Sequence, residues 1–189
     1  MKKGILTSVL LVYLINFSFG QFQQTIPRPV DLGIQNIPQQ TDSWCWAATA
    51  QQVIYWLRGN TPPQCQLVAN AFNANVQYCC NNPQACNSPG YMQQIQSLIL
   101  AYGGRYSTIS PPANEMAVYQ TLSQGKAIVL FLQTTPYVGH FVIVRGMEWV
   151  PTQFGYQAVL YINDPMSYYT QPIPFNQLLS IWRAAIVVY

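Results

Sequence analysis

Charge is scarce in this chain. Asp, Glu, Lys and Arg make up 7% of its 189 residues, eight basic against five acidic, and there is a single histidine. With no basic stripe and no run of like charge, the sequence speaks against nucleic-acid binding and electrostatic membrane attachment. The apolar stretch Gly4–Ile15 falls short of the ~20 residues that span a bilayer. Internal repeats and linker-like tracts are missing too, so the length predicts one domain with its own core. One histidine also means that any imidazole chemistry falls to His140.

The chain begins with a basic Met1-Lys2-Lys3, an apolar run, and the small residues Ser18 and Gly20 flanking Phe19. This pattern predicts a cleavable signal peptide over 1–20, cut before Gln21. The first cysteine is Cys45, far beyond the cut, so no lipid anchor and no membrane anchor after cleavage are expected. A secreted or periplasmic protein follows. Without Lys2 and Lys3, six basic residues face five acidic ones. Residues 21–37 read as an extended lead-in, too short for a globular pro-domain, and 38–189 as the folded domain.

An oxidising compartment changes how the five cysteines are read. Cys65, Cys79, Cys80 and Cys86 cluster and form the natural set of four. A bridge between the adjacent Cys79 and Cys80 would strain the backbone. Two pairings remain: Cys65–Cys79 with Cys80–Cys86, or Cys65–Cys80 with Cys79–Cys86. A zinc site is the competing reading, but adjacent cysteines suit tetrahedral coordination poorly. No metal or cofactor is expected. Cys45 is left unpaired.

The residues around Cys45 are informative. Thr41-Asp42-Ser43 is polar and turn-forming, and Trp46 to Leu57 has no Gly or Pro. Asp42 and Ser43 are candidate N-caps, which puts Cys45 in the first turn of a helix from about 44 to 57. Unpaired N–H groups and the helix dipole there favour the anionic, nucleophilic form of a thiol. Further helices are expected from Pro62-Pro63 to about Phe72, from Gly90-Tyr91 to Gly103-Gly104, over 113–124 and near 175–181. The stretch 73–89 reads as a loop. Strands are expected over 127–132, 140–147, 156–163 and 183–189. Helices first and an antiparallel sheet second make an α+β domain.

If the loop from Trp149 to Gly155 closes a hairpin with residue 148 facing 156, His140 faces Asp164. The carboxylate could then accept from His140 Nδ1–H, leaving Nε2 for a thiol. Asn163 would point to the other face, and a slip of one residue would exchange the two.

The block Gln39…Cys45-Trp46-Ala47, followed by Gly139-His140 and Asn163-Asp164-Pro165, resembles the papain-like cysteine peptidase superfamily. It is most similar to the compact bacterial branch of bacteriocin-leader peptidases and plant-pathogen effector proteases. The run Ala85-Cys86-Asn87-Ser88-Pro89-Gly90 is also similar to a Gly-Cys-Asn-Gly-Gly run of papain relatives. The resemblance covers Gln39 to the C-terminus. It implies a papain-like fold, with an N-terminal helical half carrying the cysteine helix against a C-terminal sheet carrying His140 and Asp164. It implies Cys45 as nucleophile, His140 as base and then acid, and Asp164 as orienting acid. Gln39 would be the oxyanion donor, with Gln40 its competitor. Three departures stand out: Asp164 replaces the Asn of papain itself, Pro165-Met166 replaces a following Trp, and no inhibitory pro-domain precedes the domain. A secreted endopeptidase acting on a peptide or protein substrate is the leading expectation. The alternatives are a thiol-dependent amidase or acyltransferase, for example on peptidoglycan, and a catalytically silent binding module. A protein inhibitor or immunity partner could restrain the activity; the sequence identifies none.

Overall fold

Fourteen residues without Gly or Pro, Cys45–Arg58, form the central helix α1. It stops where Gly59 adopts a left-handed conformation (φ 72°) and its N–H meets the Tyr55 carbonyl, a backbone state that glycine enters without steric cost. Every residue from Trp46 to Ile54 is buried, so α1 is an interior helix. These elements belong to a computed structural model that describes residues 26–189. The expected signal peptide, 1–20, lies outside the described residues.

Around α1 pack α2 (Gln64–Ala71), α3 (Val76–Asn81) and α4 (Met92–Leu98), the last continuing as a wider π turn over Ile99–Gly103. The stretch 73–89 is not the expected plain loop, because it contains α3 and a 3-10 turn over Pro83–Cys86. A helix of six residues is too short to persist alone. Asn75 caps it by accepting from the Tyr78 N–H, and the disulfides Cys65–Cys80 and Cys79–Cys86 pin it. This is the second of the two pairings open from sequence, and it leaves no thiolate in the cluster for zinc.

The sheet is antiparallel in every pairing. Its strands are β1 (Val30–Asp31), β2 (Ser107–Ser110), β3 (Ile128–Gln133), β4 (Gly139–Thr152), β5 (Gly155–Asn163), β6 (Ile173–Pro174) and β7 (Trp182–Val188). The order is β2-β7-β3-β4-β5-β6, with β1 added on β4. β3, β4, β5 and β7 correspond to the four expected strands. β1, β2 and β6 were not expected; each is short and is extended only because a longer neighbour pairs with it. Two further helices, α5 (Glu115–Ser123) and α6 (Phe175–Leu179), follow the sequence expectation closely.

Alternation along the strands gives the sheet two apolar faces. Val129, Phe141, Ile143 and Ile186 pack with Trp46, Ala50 and Val53 of α1. On the other side Leu130, Val142 and Val144 pack with Val118 and Leu122 of α5 and Phe175 of α6.

The β4–β5 register differs from the one expected. The turn is tighter, with Thr152 facing Gly155, so Glu148 faces Val159 rather than Tyr156. Carried on unbroken, that register would set Asn163 opposite Val144. A bulge at Arg145 intervenes: Gly146 faces Tyr161, yet Val144 faces Ile162 and Ile143 faces Asn163. The extra residue restores the parity of the hairpin, so Asp164 shares the face of Val142 and His140, and Asn163 does not.

Candidate active site

Cys45 is the first residue of α1, is half-buried, and is the free cysteine among the described residues. Neither Asp42 nor Ser43 caps the helix; Trp44 holds the N-cap position without a side-chain bond. The turn is held from outside instead. Asn87 Oδ1 accepts from the Ser43 N–H and from the Thr41 hydroxyl, each at 2.9 Å. The indole N–H groups of Trp44 and Trp46 donate to the carbonyls of Cys86 and Ser88, each at 3.1 Å. The 86–90 segment, hung from the Cys79–Cys86 bridge, is thus the backing of the turn that carries Cys45. Gly90 lies so close to Trp46 that a Cβ would stand 2.3 Å from indole Cδ2. Gly90→Ala is therefore expected to displace the ring beside Cys45 and to destabilise the protein by about 1–3 kcal/mol, which thermal unfolding would register. An unchanged melting temperature would show that the indole yields freely.

His140 and Asp164 are 4% and 0% exposed and meet at 2.6 Å. Two features of this contact differ from expectation. The residues are not cross-strand partners, since His140 faces Leu132 of β3 and Asp164 lies just beyond the end of β5. The imidazole atom in the bond is Nε2, not Nδ1. Asp164 approaches from beyond the strand end because its segment turns there, with the Ser167 N–H on the Asp164 carbonyl. Nδ1 is then the nitrogen left for Cys45.

The Asp164 carboxylate also accepts three backbone N–H groups. Met166 donates to Oδ1 at 2.8 Å, and Tyr168 and Tyr169 donate to Oδ2 at 2.8 and 3.1 Å. Burial pushes the acid up, but the His140 bond and these N–H donors outweigh it and hold it below the usual value. Burial likewise pulls His140 down, yet its bonds with Asp164 and Cys45 and their charges prevail and raise it from 6.5 to about 9. The Tyr168 ring covers the imidazole edge-on at 5.9 Å.

Gln39 sits beside this turn with both amide hydrogens engaged, donating to the carbonyls of Thr41 (2.8 Å) and Asp42 (2.9 Å). Its Oε1 is buried without a partner. Gln40 is exposed and engages through its backbone, donating to Gln64 Oε1 at 2.9 Å. Asn163 is turned away, as expected from strand alternation, and donates to the Ile34 carbonyl at 2.8 Å.

Cys45 and His140 open into a cleft of about 640 Å³ walled by Trp46, Tyr91, Met92, Phe141, Met166 and Tyr168. Asp42 is its one carboxylate. Among the described residues no cluster of His, Cys, Asp and Glu is arranged to hold a metal ion. Sequence reasoning did not single out Tyr168, nor the part played by Asn87. Asn87 lay within a quoted motif, whereas Tyr168 left no signal in the pattern.

A family model described as Peptidase_C39 like family matches residues 31–186. Two solved structures share the fold. One is a Bacillus anthracis protein described as C39-like peptidase, with TM-score 0.60 and 13% identity over 86% of this chain and 98% of that one. The other is the peptidase domain of Streptococcus ComA, a bi-functional ABC transporter involved in a quorum sensing pathway. Its TM-score is 0.54 at 14% identity, over 82% of this chain and 97% of that one. Comparison with curated protein sequences gave no match. At such identities the structural likeness speaks for the fold; the family match spans most of the chain. The protein belongs to the Peptidase_C39-like family and is a papain-like cysteine peptidase.

Proposed function

We propose that this protein is an exported endopeptidase in which Cys45 is the nucleophile, His140 the proton carrier and Asp164 the orienting acid. The observation that carries the reading is the buried His140–Asp164 pair at 2.6 Å, whose imidazole opens into the same cleft as Cys45. A raised imidazole keeps its proton beside the sulfur, which favours a thiolate–imidazolium pair over a neutral one. The Cys45 sulfur attacks the scissile carbonyl carbon, and the oxygen takes the electron pair. His140 then gives its proton to the leaving amine as the C–N bond breaks, leaving a thioester on Cys45. Water, deprotonated by His140, attacks the thioester and releases the acid and the thiolate.

The oxyanion would lie by the N-terminus of α1. The Cys45 N–H heads the helix and is one donor. Gln39 would be the second, by exchanging its solvent-exposed bond to the Asp42 carbonyl for one to the oxyanion. Two such donors are worth a few kcal/mol of barrier. Export is supported by the pattern of residues 1–20 and by the two disulfides, which persist in oxidising compartments.

The pH dependence tests this reading. Iodoacetamide labelling of non-reduced protein with peptide mass mapping should find Cys45 reactive, and peptide hydrolysis, whose leaving amine needs the His140 proton, should fall as pH rises through about 9. Asp164→Asn should move that alkaline limb downward, because it removes the charge and weakens the bond that raise His140. Stability follows by linkage. The contribution from His140 is complete below 6.5 and is lost as pH climbs toward 9. The contribution from Asp164 is present above 3.8 and is lost as pH falls further. A Cys45 that is silent in folded protein would overturn the reading and favour a binding module.

A further inference from the structure

The segment 34–40 runs between the helical half and the sheet, held by amide side chains from both sides. On the sheet side, Asn163 donates to the Ile34 carbonyl, Asn36 Nδ2 donates to the Asp164 carbonyl at 3.0 Å, and the Gln39 N–H meets the Pro165 carbonyl at 3.1 Å. On the helical side, Gln64 donates to the Pro38 carbonyl at 2.9 Å. Gln52 of α1 uses both amide hydrogens, on Asn36 Oδ1 at 3.1 Å and on the Ile37 carbonyl at 3.0 Å. The segment is a spacer whose thickness sets how far α1 stands from the end of β5.

Gln52 occupies a particular place in this arrangement. It lies about two turns below Cys45 on the same face of α1, and it is 0% exposed. Its Oε1 has no partner, a cost that a buried Leu or Met would not carry. The donors are therefore what the position uses. They begin a chain from Gln52 to Asn36 Oδ1, and from Asn36 Nδ2 to the main chain of Asp164.

We infer that Gln52 and Asn36 are positioning residues that hold the nucleophile helix in register with Asp164, and through it His140. This rests on the proposed roles of Cys45, His140 and Asp164. Asp164 keeps its own turn through its backbone donors, so loss of the relay leaves the carboxylate folded but lets its distance from α1 drift. Small drifts at a reacting centre are expensive in rate, up to about 100-fold for 1 Å.

The test is Gln52→Met, which matches the volume without the donors, with Asn36→Ala at an exposed position as the variant least disturbing to folding. Each should slow Cys45 alkylation by iodoacetamide about tenfold. In peptide hydrolysis, kcat should fall with KM little changed, and the alkaline limb should move below that of the parent. The double variant should be no slower than the worse single one, because both cut one chain. A wild-type alkylation rate in either folded variant would overturn the relay, as would multiplicative losses in the double variant. Alkylation needs no substrate. A parent whose Cys45 alkylates, with both variants slower, yet cleaves no peptide would therefore overturn the endopeptidase reading while leaving the relay standing on its alkylation data.

Discussion

Cys45→Ala is expected to abolish peptide hydrolysis, by at least about 10³-fold, and to leave folding intact. The side chain is small and half-buried, and its neighbours lose only a sulfur. His140→Ala should lose as much activity but behave differently in a melt. Asp164 is 0% exposed, and removal of the imidazole would leave its charge without its partner. Breaking a buried pair in this way costs about 3–5 kcal/mol; here the three backbone donors on Asp164 soften the loss. The two variants together separate chemistry from architecture. Hydrolysis by folded Cys45→Ala within tenfold of the parent would remove Cys45 from the mechanism.

Loss of the Cys79–Cys86 bridge is expected to damage stability and activity together. A single bridge contributes roughly 2–4 kcal/mol. Beyond that, Cys86, Asn87 and Ser88 supply every bond that holds Ser43, Trp44 and Trp46 from outside. A Cys79→Ser/Cys86→Ser variant frees the segment from α3, so the turn carrying Cys45 loses its backing. Cys65–Cys80 ties α2 to α3 and offers the control. Both double variants should melt earlier. At a temperature where both remain folded, kcat/KM should fall about tenfold in the first and much less in the second. Equal losses of activity would mean that the bridges act through global stability alone.

Much of this was legible in local pattern. The Gly- and Pro-free run after Cys45, the stop at Gly59 and the apolar strands from Ala127 onward are short-range signals, and the elements formed close to where they were expected. The order helices-then-strands carried the fold class. Asn75, by contrast, had to be read with the disulfides before α3 could be anticipated, and β1 and β2 exist only through partners distant in sequence. The N-cap of α1 could not be read locally either, because Asn87 does from a distance what Asp42 and Ser43 were expected to do.

By itself, the sequence determined which groups are available for chemistry: one histidine, one cysteine outside the cluster of four, and an Asn163-Asp164 pair at a strand end. It also determined that a hairpin would bring the histidine and that pair near each other. Tertiary structure decided which of the two side chains His140 meets, and by which nitrogen. The tight turn at Thr152–Gly155 alone would have presented Asn163; the bulge at Arg145 returns Asp164 to the face of His140. Strand alternation makes that choice depend on a single inserted residue, and the position of a bulge depends on the strands packed around it. The spacing of Cys45 from Asp164 depends in the same way on buried amides from α1 and on a segment that neither half contains.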